Sequence, residues 1–171
     1  MCEEIRIYVA CLAAYNNGRL HGVWIDATDD VEEMQEQINK MLKASPEPDA
    51  EEYAIHDYEG FGGYGLGEYE GIESAHDIAC FVEEHSEIAG DLLSHFGGDL
   101  EDAKKAAEEQ YSGCYKSLAD YAEELTEGTA EIPEHLQFYI DYERMGRDME
   151  MSGDIYTIES GRQEVHIFWS H

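Results

Sequence analysis

Forty Asp and Glu residues stand against ten Lys and Arg in 171 residues, a formal charge of −30, and any fold open to this chain must keep those carboxylates in water. An unpaired carboxylate taken into an apolar interior is far too costly to keep ionised, and ten cations cannot pair forty anions. Self-repulsion of this size also works against compaction. Disorder would remove the problem, yet acidic disordered chains are poor in aromatics. This chain is 43% hydrophobic and 11% aromatic, with 12 Tyr and 2 Trp, enough for a core. The reading is a folded scaffold that carries its acids outside.

A polyanion does not seek nucleic acid or an anionic membrane, because both share its sign. It suits a basic partner, such as a protein that itself binds DNA or RNA. No apolar run reaches 18 residues, so no membrane span is expected. The first residues, MCEEIRIYVA, place acids where a secretion signal places bases, and a cytoplasmic location is expected. Cys2, Cys11, Cys80 and Cys114 are scattered and form no CxxC pair, which predicts buried free thiols in place of a zinc site or disulfide framework.

Residues 5–13 read as a strand, and Asn17-Gly18 as a tight hairpin turn leading into a second strand at 20–26. Asp29 and Glu32 resemble a capping box opening a helix over about 30–43, with Val31, Met34, Ile38, Met41 and Leu42 on one face. Residues 52–58 read as a third strand, followed by a glycine-rich connector at 60–71. Ser74 and Asp77 are placed to cap a helix that carries Ile78, Phe81 and Val82 inward. Helix continues to Phe96 and stops at Gly97-Gly98. Asp99 starts the next helix, through Tyr111, and Ser117 with Asp120 caps another. Pro133 suits the first turn of a short helix holding Leu136, Tyr139 and Ile140, which Gly146 closes. Two strands, 154–159 and 164–169, end the chain. The fold class is therefore α+β, an elongated molecule with small antiparallel sheets near both ends and a helical middle section. The expected subdomains are 1–60 (ββαβ), 61–98 (helical) and 99–171 (α/β).

The acids are spread along this whole body: twelve from Asp26 to Glu59, thirteen from Glu68 to Glu109 and thirteen from Asp120 to Glu164. Glu83, Glu87 and Asp91 recur every four residues, as do Asp120 and Glu124, with Glu127 three further on. On helices these sets form ridges of like charge, each i,i+4 pair costing about 0.2–0.5 kcal/mol. Ridge carboxylates stand about 6 Å apart along the axis, whereas duplex DNA carries one charge per roughly 1.7 Å. One ridge is too sparse to copy DNA; several side by side approach it. Two copies of the chain would match the phosphates of very roughly 30 base pairs.

Catalytic chemistry is not expected. Gly60-Phe61-Gly62-Gly63-Tyr64-Gly65 matches GxGxxG in form, but more glycines and then Glu68, Glu70 and Glu73 follow where a phosphate loop needs a helix N-terminus. His56-Asp57 and His76-Asp77 are sequence neighbours, and on a strand such neighbours face opposite ways. HExxH, GxSxG and Cys-His signatures are absent. Asp26 to Asp30 clusters acids without EF-hand spacing. No metal and no cofactor are expected.

Several long strings carry a resemblance. EYAIHDYEGF at 52–61, LLSHFGGDLEDA at 92–103, SLADYAEELTE at 117–127 and IPEHLQFYIDYERMGRDMEMSGDIYTIE at 132–159 are similar to the ArdA family of antirestriction proteins, as is the opening, IRIYVACLAAYNNGRLHGVWID. The resemblance runs over about residues 5–169. It implies a protein of mobile elements that mimics bent B-form DNA and occupies the DNA-binding groove of type I restriction–modification enzymes. It further implies an elongated homodimer with three small domains per subunit. The family's antirestriction motif falls on Leu92–Gly113, which makes Leu92, Leu93, His95, Phe96 and Leu100 candidates for packing or dimer contacts. The glycine run 60–67 carries no implied function. For the acidic surface, the candidates are Glu83, Glu84, Glu87 and Asp91, then Asp120, Glu123, Glu124 and Glu127, with Glu32, Glu33 and Glu36 nearer the N-terminus. The competing readings are a mimic aimed at another basic DNA-binding protein, a nucleoid protein or transcription factor, and an acidic, salt-adapted protein without such a partner.

Overall fold

The strand β1 (Arg6–Cys11) alternates Ile7, Val9 and Cys11 inward with Arg6 and Tyr8 outward, the two-residue period of a sheet with one face in the core. The structure is a computed structural model that describes residues 4–67 and 70–170. Its chain divides into two units, Met1–Ser94 and His95–His171.

In the first unit β1 is the centre of an antiparallel sheet of order β2-β1-β3, with β2 at Gly22–Asp26 and β3 at Tyr53–Glu59. Helix α2 (Val31–Lys43) buries Met34, Ile38 and Met41 and packs on β1, β2 and α3 (Ile72–Glu84). The short helix α4 (Ala89–His95) buries Leu92 and Leu93 completely. The fully buried core here is Ile7, Val9, Ile25, Met34, Ile38, Leu92 and Leu93, with Phe61 and Phe81 also buried.

The second unit has an antiparallel sheet of order β4-β6-β5, from β4 (Tyr111–Tyr115), β5 (Ile155–Gly161) and β6 (Glu164–Trp169). Helix α5 (Leu100–Lys105) runs into a π-helical turn at Ala106–Gln110 before β4. Helices α6 (Leu118–Thr129) and α7 (Tyr142–Met151) pack together, joined by a 3-10 helix at Glu134–Tyr139. Tyr121, Ile155, Val165 and Ile167 form the core, with Leu118, Leu125 and Trp169 against it. The class is α+β with two small three-stranded antiparallel sheets, as the sequence predicts.

Several local expectations give way. The Asn17-Gly18 pair does not make a two-residue hairpin: Leu12–Asn16 forms a helix, α1, and the pair ends it, with Gly18 at φ +76°. Leu12, Ala13 and Ala14 favour helix, and the Asn17 side-chain amide donates to the Ala13 carbonyl at 3.1 Å. The capping box at Asp29 is not formed, because Asp30 is the cap residue and makes no side-chain bond. Ser74 and Asp77 lie inside α3, which starts at Ile72 after Gly71. The Ser74 hydroxyl instead donates to the Glu70 carboxylate. Helix from Asp99 stops at the π turn, and residues 111–115 pair with β6 as a strand. Gly146 closes nothing: it lies within α7, where a Cβ would stand 2.8 Å from Leu118 Cγ. Leu136 and Tyr139 are exposed, at 45% and 83%, and Phe138 between them is 93% exposed.

The glycine run is also more than a connector. Phe61 is buried and meets Tyr58 edge-on at 5.9 Å. Gly90 of α4 lies so close to Gly62 that a Cβ there would be 1.9 Å from the Gly62 carbonyl oxygen. Glu68 of the phosphate-loop argument lies outside the described residues.

Candidate functional site

No carboxylate among the described residues is buried, and all but the half-buried Asp29, Glu47 and Glu70 are exposed. The acids divide between the units as 22 against 4 Lys and Arg in Met1–Ser94, and 18 against 6 in His95–His171, a charge of −18 and −12. Both units are therefore polyanions by themselves. Arg6 pairs with Glu59 and lies 3.6 Å from Glu4, while Arg19 lies 3.8 Å from Glu47. Of the predicted surface acids, Glu84 pairs with His85 at 3.9 Å.

The elements explain this exposure. On α2 the inward positions are taken by Met34, Ile38 and Met41, so Glu32, Glu33 and Glu36 fall on the solvent side. On α3 the inward positions Ile78, Phe81 and Val82 turn Glu83 and Glu84 outward. The ridge of Glu83, Glu87 and Asp91 is not on one helix, however. α3 ends at Glu84, Glu87 lies in the turn that follows, and Asp91 belongs to α4. The three remain exposed without helical four-residue spacing. Separating them avoids the like-charge cost that a continuous ridge would carry.

The second ridge is on one helix. Asp120, Glu123, Glu124 and Glu127 are exposed on α6, where the Ser117 hydroxyl caps the Asp120 amide at 3.2 Å. Asp120 in the first turn also faces the favourable end of the helix dipole. Two tyrosines register how this charge is divided. Burial and then a hydrogen bond to Glu124 push the Tyr115 phenol above its ordinary pKa. Burial followed by the negative field of Glu123 and Glu127 raises that of Tyr142. Glu124 thus addresses β4 while Glu123 and Glu127 address α7, two directions from a single helix.

In the motif Leu92–Gly113, Leu92 and Leu93 are fully buried within the chain itself. His95 is exposed, and Phe96 and Leu100 are half-buried. His95 stacks on Tyr156 at 4.2 Å, nearly parallel, and Tyr156 stacks on Phe168 at 5.1 Å. No disulfide joins the described cysteines, and they are not uniformly buried: Cys11 is buried, Cys80 half-buried and Cys114 exposed on β4, an edge strand. Cys2 lies outside the described residues. No group of three His, Cys, Asp or Glu able to hold a metal ion occurs among the described residues, and none of their helices is long and apolar enough to cross a membrane.

Sequence reasoning passed over the outer face of the first sheet. There Tyr8 and Trp24 meet at 5.4 Å, and the Arg6 guanidinium lies 5.2 Å from the centre of the Trp24 ring. The signal was available in the outward phase of β1 and β2.

The profile of the antirestriction protein family ArdA matches residues 7–164. The chain belongs to that family, and antirestriction is its family function. No curated protein sequence matches it.

Proposed function

We propose that this chain protects incoming mobile DNA by acting as a DNA mimic, occupying the DNA-binding groove of a type I restriction–modification enzyme as a homodimer. The observation that carries the reading is the complete exclusion of described carboxylates from both cores, in two units that are each strongly acidic. A polyanion offered on a folded surface competes with DNA for a Lys- and Arg-rich cleft by direct occupancy, with no bond made or broken. Binding is spread over many acids, each worth little, because exposed charge pairs contribute about 0–1 kcal/mol apiece. Glu83, Glu84, Glu87 and Asp91 form one patch of the mimic, Asp120, Glu123, Glu124 and Glu127 a second, and Glu32, Glu33 and Glu36 a third. In the motif, Leu92 and Leu93 hold α4, while His95, Phe96 and Leu100, none of them fully buried, add contacts between copies to those they make within the chain. The test is a displacement panel. Labelled DNA is bound in turn to a type I enzyme, a type II nuclease and a nucleoid protein, and the chain is titrated in. Displacement from the type I enzyme at near-stoichiometric protein supports the reading, and displacement only from the others contradicts it.

A further inference from the structure

The outward face of the first sheet is not a uniform acidic surface. The strand register sets two rows across it: Asp26, Arg6 and Glu59 in one, Trp24, Tyr8 and Asp57 in the next. The carboxylates at Asp26, Asp57 and Glu59 are exposed, Trp24 is 38% exposed and Tyr8 is half-buried. Gly22 admits both the neighbouring backbone and this ring, since a Cβ there would stand 2.5 Å from the Val9 carbonyl oxygen, 2.7 Å from Tyr8 Cζ and 2.8 Å from the Tyr8 hydroxyl. The Tyr8 ring therefore reaches over β2 toward Trp24, and the two make an aromatic floor edged by acids.

One guanidinium already uses that floor. Arg6 donates to Glu59 from Nε and Nη2 while lying over the Trp24 ring. A planar guanidinium can bind a carboxylate along its edge and an aromatic ring on its face, and an ammonium group cannot do both as well. Arg6 therefore stands in for what the face accepts, and Asp26 and Asp57, whose Oδ1 atoms accept from Thr28 and from the Tyr58 amide, add carboxylates in the same rows.

We propose that this sheet face is a docking surface for arginine side chains of the protein partner, with Trp24 and Tyr8 as the stacking floor and Asp26, Asp57 and Glu59 as the anionic rim. The proposal deepens the reading of the chain as an occupant of a basic groove, on which its choice of partner rests. Charge complementarity selects a cationic occupant, and the aromatic floor selects arginine over lysine. Bidentate pairing favours a guanidinium at any carboxylate, and the aromatic floor adds at this face the part of the preference that Trp24 supplies.

The experiment uses the unmodified full-length chain, titrated calorimetrically with hexaarginine and hexalysine at one ionic strength near 0.1 M. We expect hexaarginine to bind about three- to tenfold more tightly, the scale of one or two exposed cation–π contacts. In Trp24→Leu the gap should shrink to within about twofold, with hexalysine affinity unchanged because no charge is altered. No arginine preference in the unmodified chain, or the same preference in Trp24→Leu, would overturn the proposal. The first comparison needs no variant, so a destabilised variant does not shield the idea. Arginine preference without displacement of DNA from a type I enzyme would sink the restriction-enzyme reading and leave this face standing.

Discussion

Gly90→Ala puts a single methyl group where the fold has no room for one. A Cβ at Gly90 falls 1.9 Å from the Gly62 oxygen, 2.6 Å from its carbonyl carbon and 3.1 Å from its Cα. All three are backbone atoms, so no rotamer change relieves the clash. An ordinary contact near 3.4 Å requires α4 and the Gly62 segment to separate by roughly 1.5 Å. α4 is held in place by Leu92 and Leu93, both fully buried, and Gly62 sits at φ +63°, a conformation that few other residues accept. Overpacking of this kind costs about 1–3 kcal/mol, and the helix preference for Ala over Gly returns at most about 1 kcal/mol. The net loss is about 1–2 kcal/mol, or roughly 2–8 °C in melting temperature for a chain of this size. Thermal unfolding followed by circular dichroism measures it. Gly128→Ala is the control, because it lies in α6 with nothing within 4 Å of its Cβ; its melting temperature should be unchanged or slightly higher. A Gly90→Ala protein that melts with the control would refute the close approach and the packing argument built on it.

Neutralising Glu83, Glu84, Glu87 and Asp91 one at a time to Gln or Asn should change inhibition less than about threefold each, as expected for exposed charges. Changing all four together should weaken it tenfold or more, and a single substitution that abolished binding in a folded protein would contradict the distributed surface. The Tyr156 hydroxyl is buried with no protein partner among the described residues, and burial pushes its pKa up to about 12. Its neutral form is thus favoured in the fold, so its contribution is intact below the unfolded value near 10 and is lost as pH rises from there toward 12. Tyr156→Phe should flatten that alkaline loss in urea titrations at pH 7 and pH 11 without lowering stability at pH 7. Among the thiols, exposed Cys114 should react with a disulfide reagent in the native state well before buried Cys11, as mass spectrometry of timed samples would show.

Alternation and helical period were the readable parts of this chain. Ile7, Val9, Ile25, Met34 and Ile38 stand out as apolar positions at strand or helix spacing, and each is fully buried. The caps at Asp99 and Ser117 were equally plain, since a short polar side chain precedes the helix and accepts from the amide three residues on. β4 was not readable, because Tyr111-Ser-Gly-Cys-Tyr is short, contains a glycine at φ +123° and pairs with β6 through an irregular register. Gly90 and Gly146 were missed for a related reason: a glycine that admits another segment looks like a glycine that ends a helix until the neighbour is seen. The exposure of the acids followed from charge alone, whereas their grouping did not. Glu87 does not continue α3 because His85 leaves the helical conformation, at φ −125° and ψ 50°, and no local pattern records that.

The central claim is that the acidic surface takes the place of DNA in a basic groove, and the salt dependence of its binding tests this most directly. Affinity of the chain for a purified type I enzyme should be measured from about 50 to 200 mM salt, with and without saturating cognate DNA. The account predicts near-stoichiometric binding at low salt, a steep linear fall of log affinity with log salt, and complete exclusion by DNA. A complex that forms equally well with DNA already in the groove, or whose affinity is flat across the salt series, would contradict it.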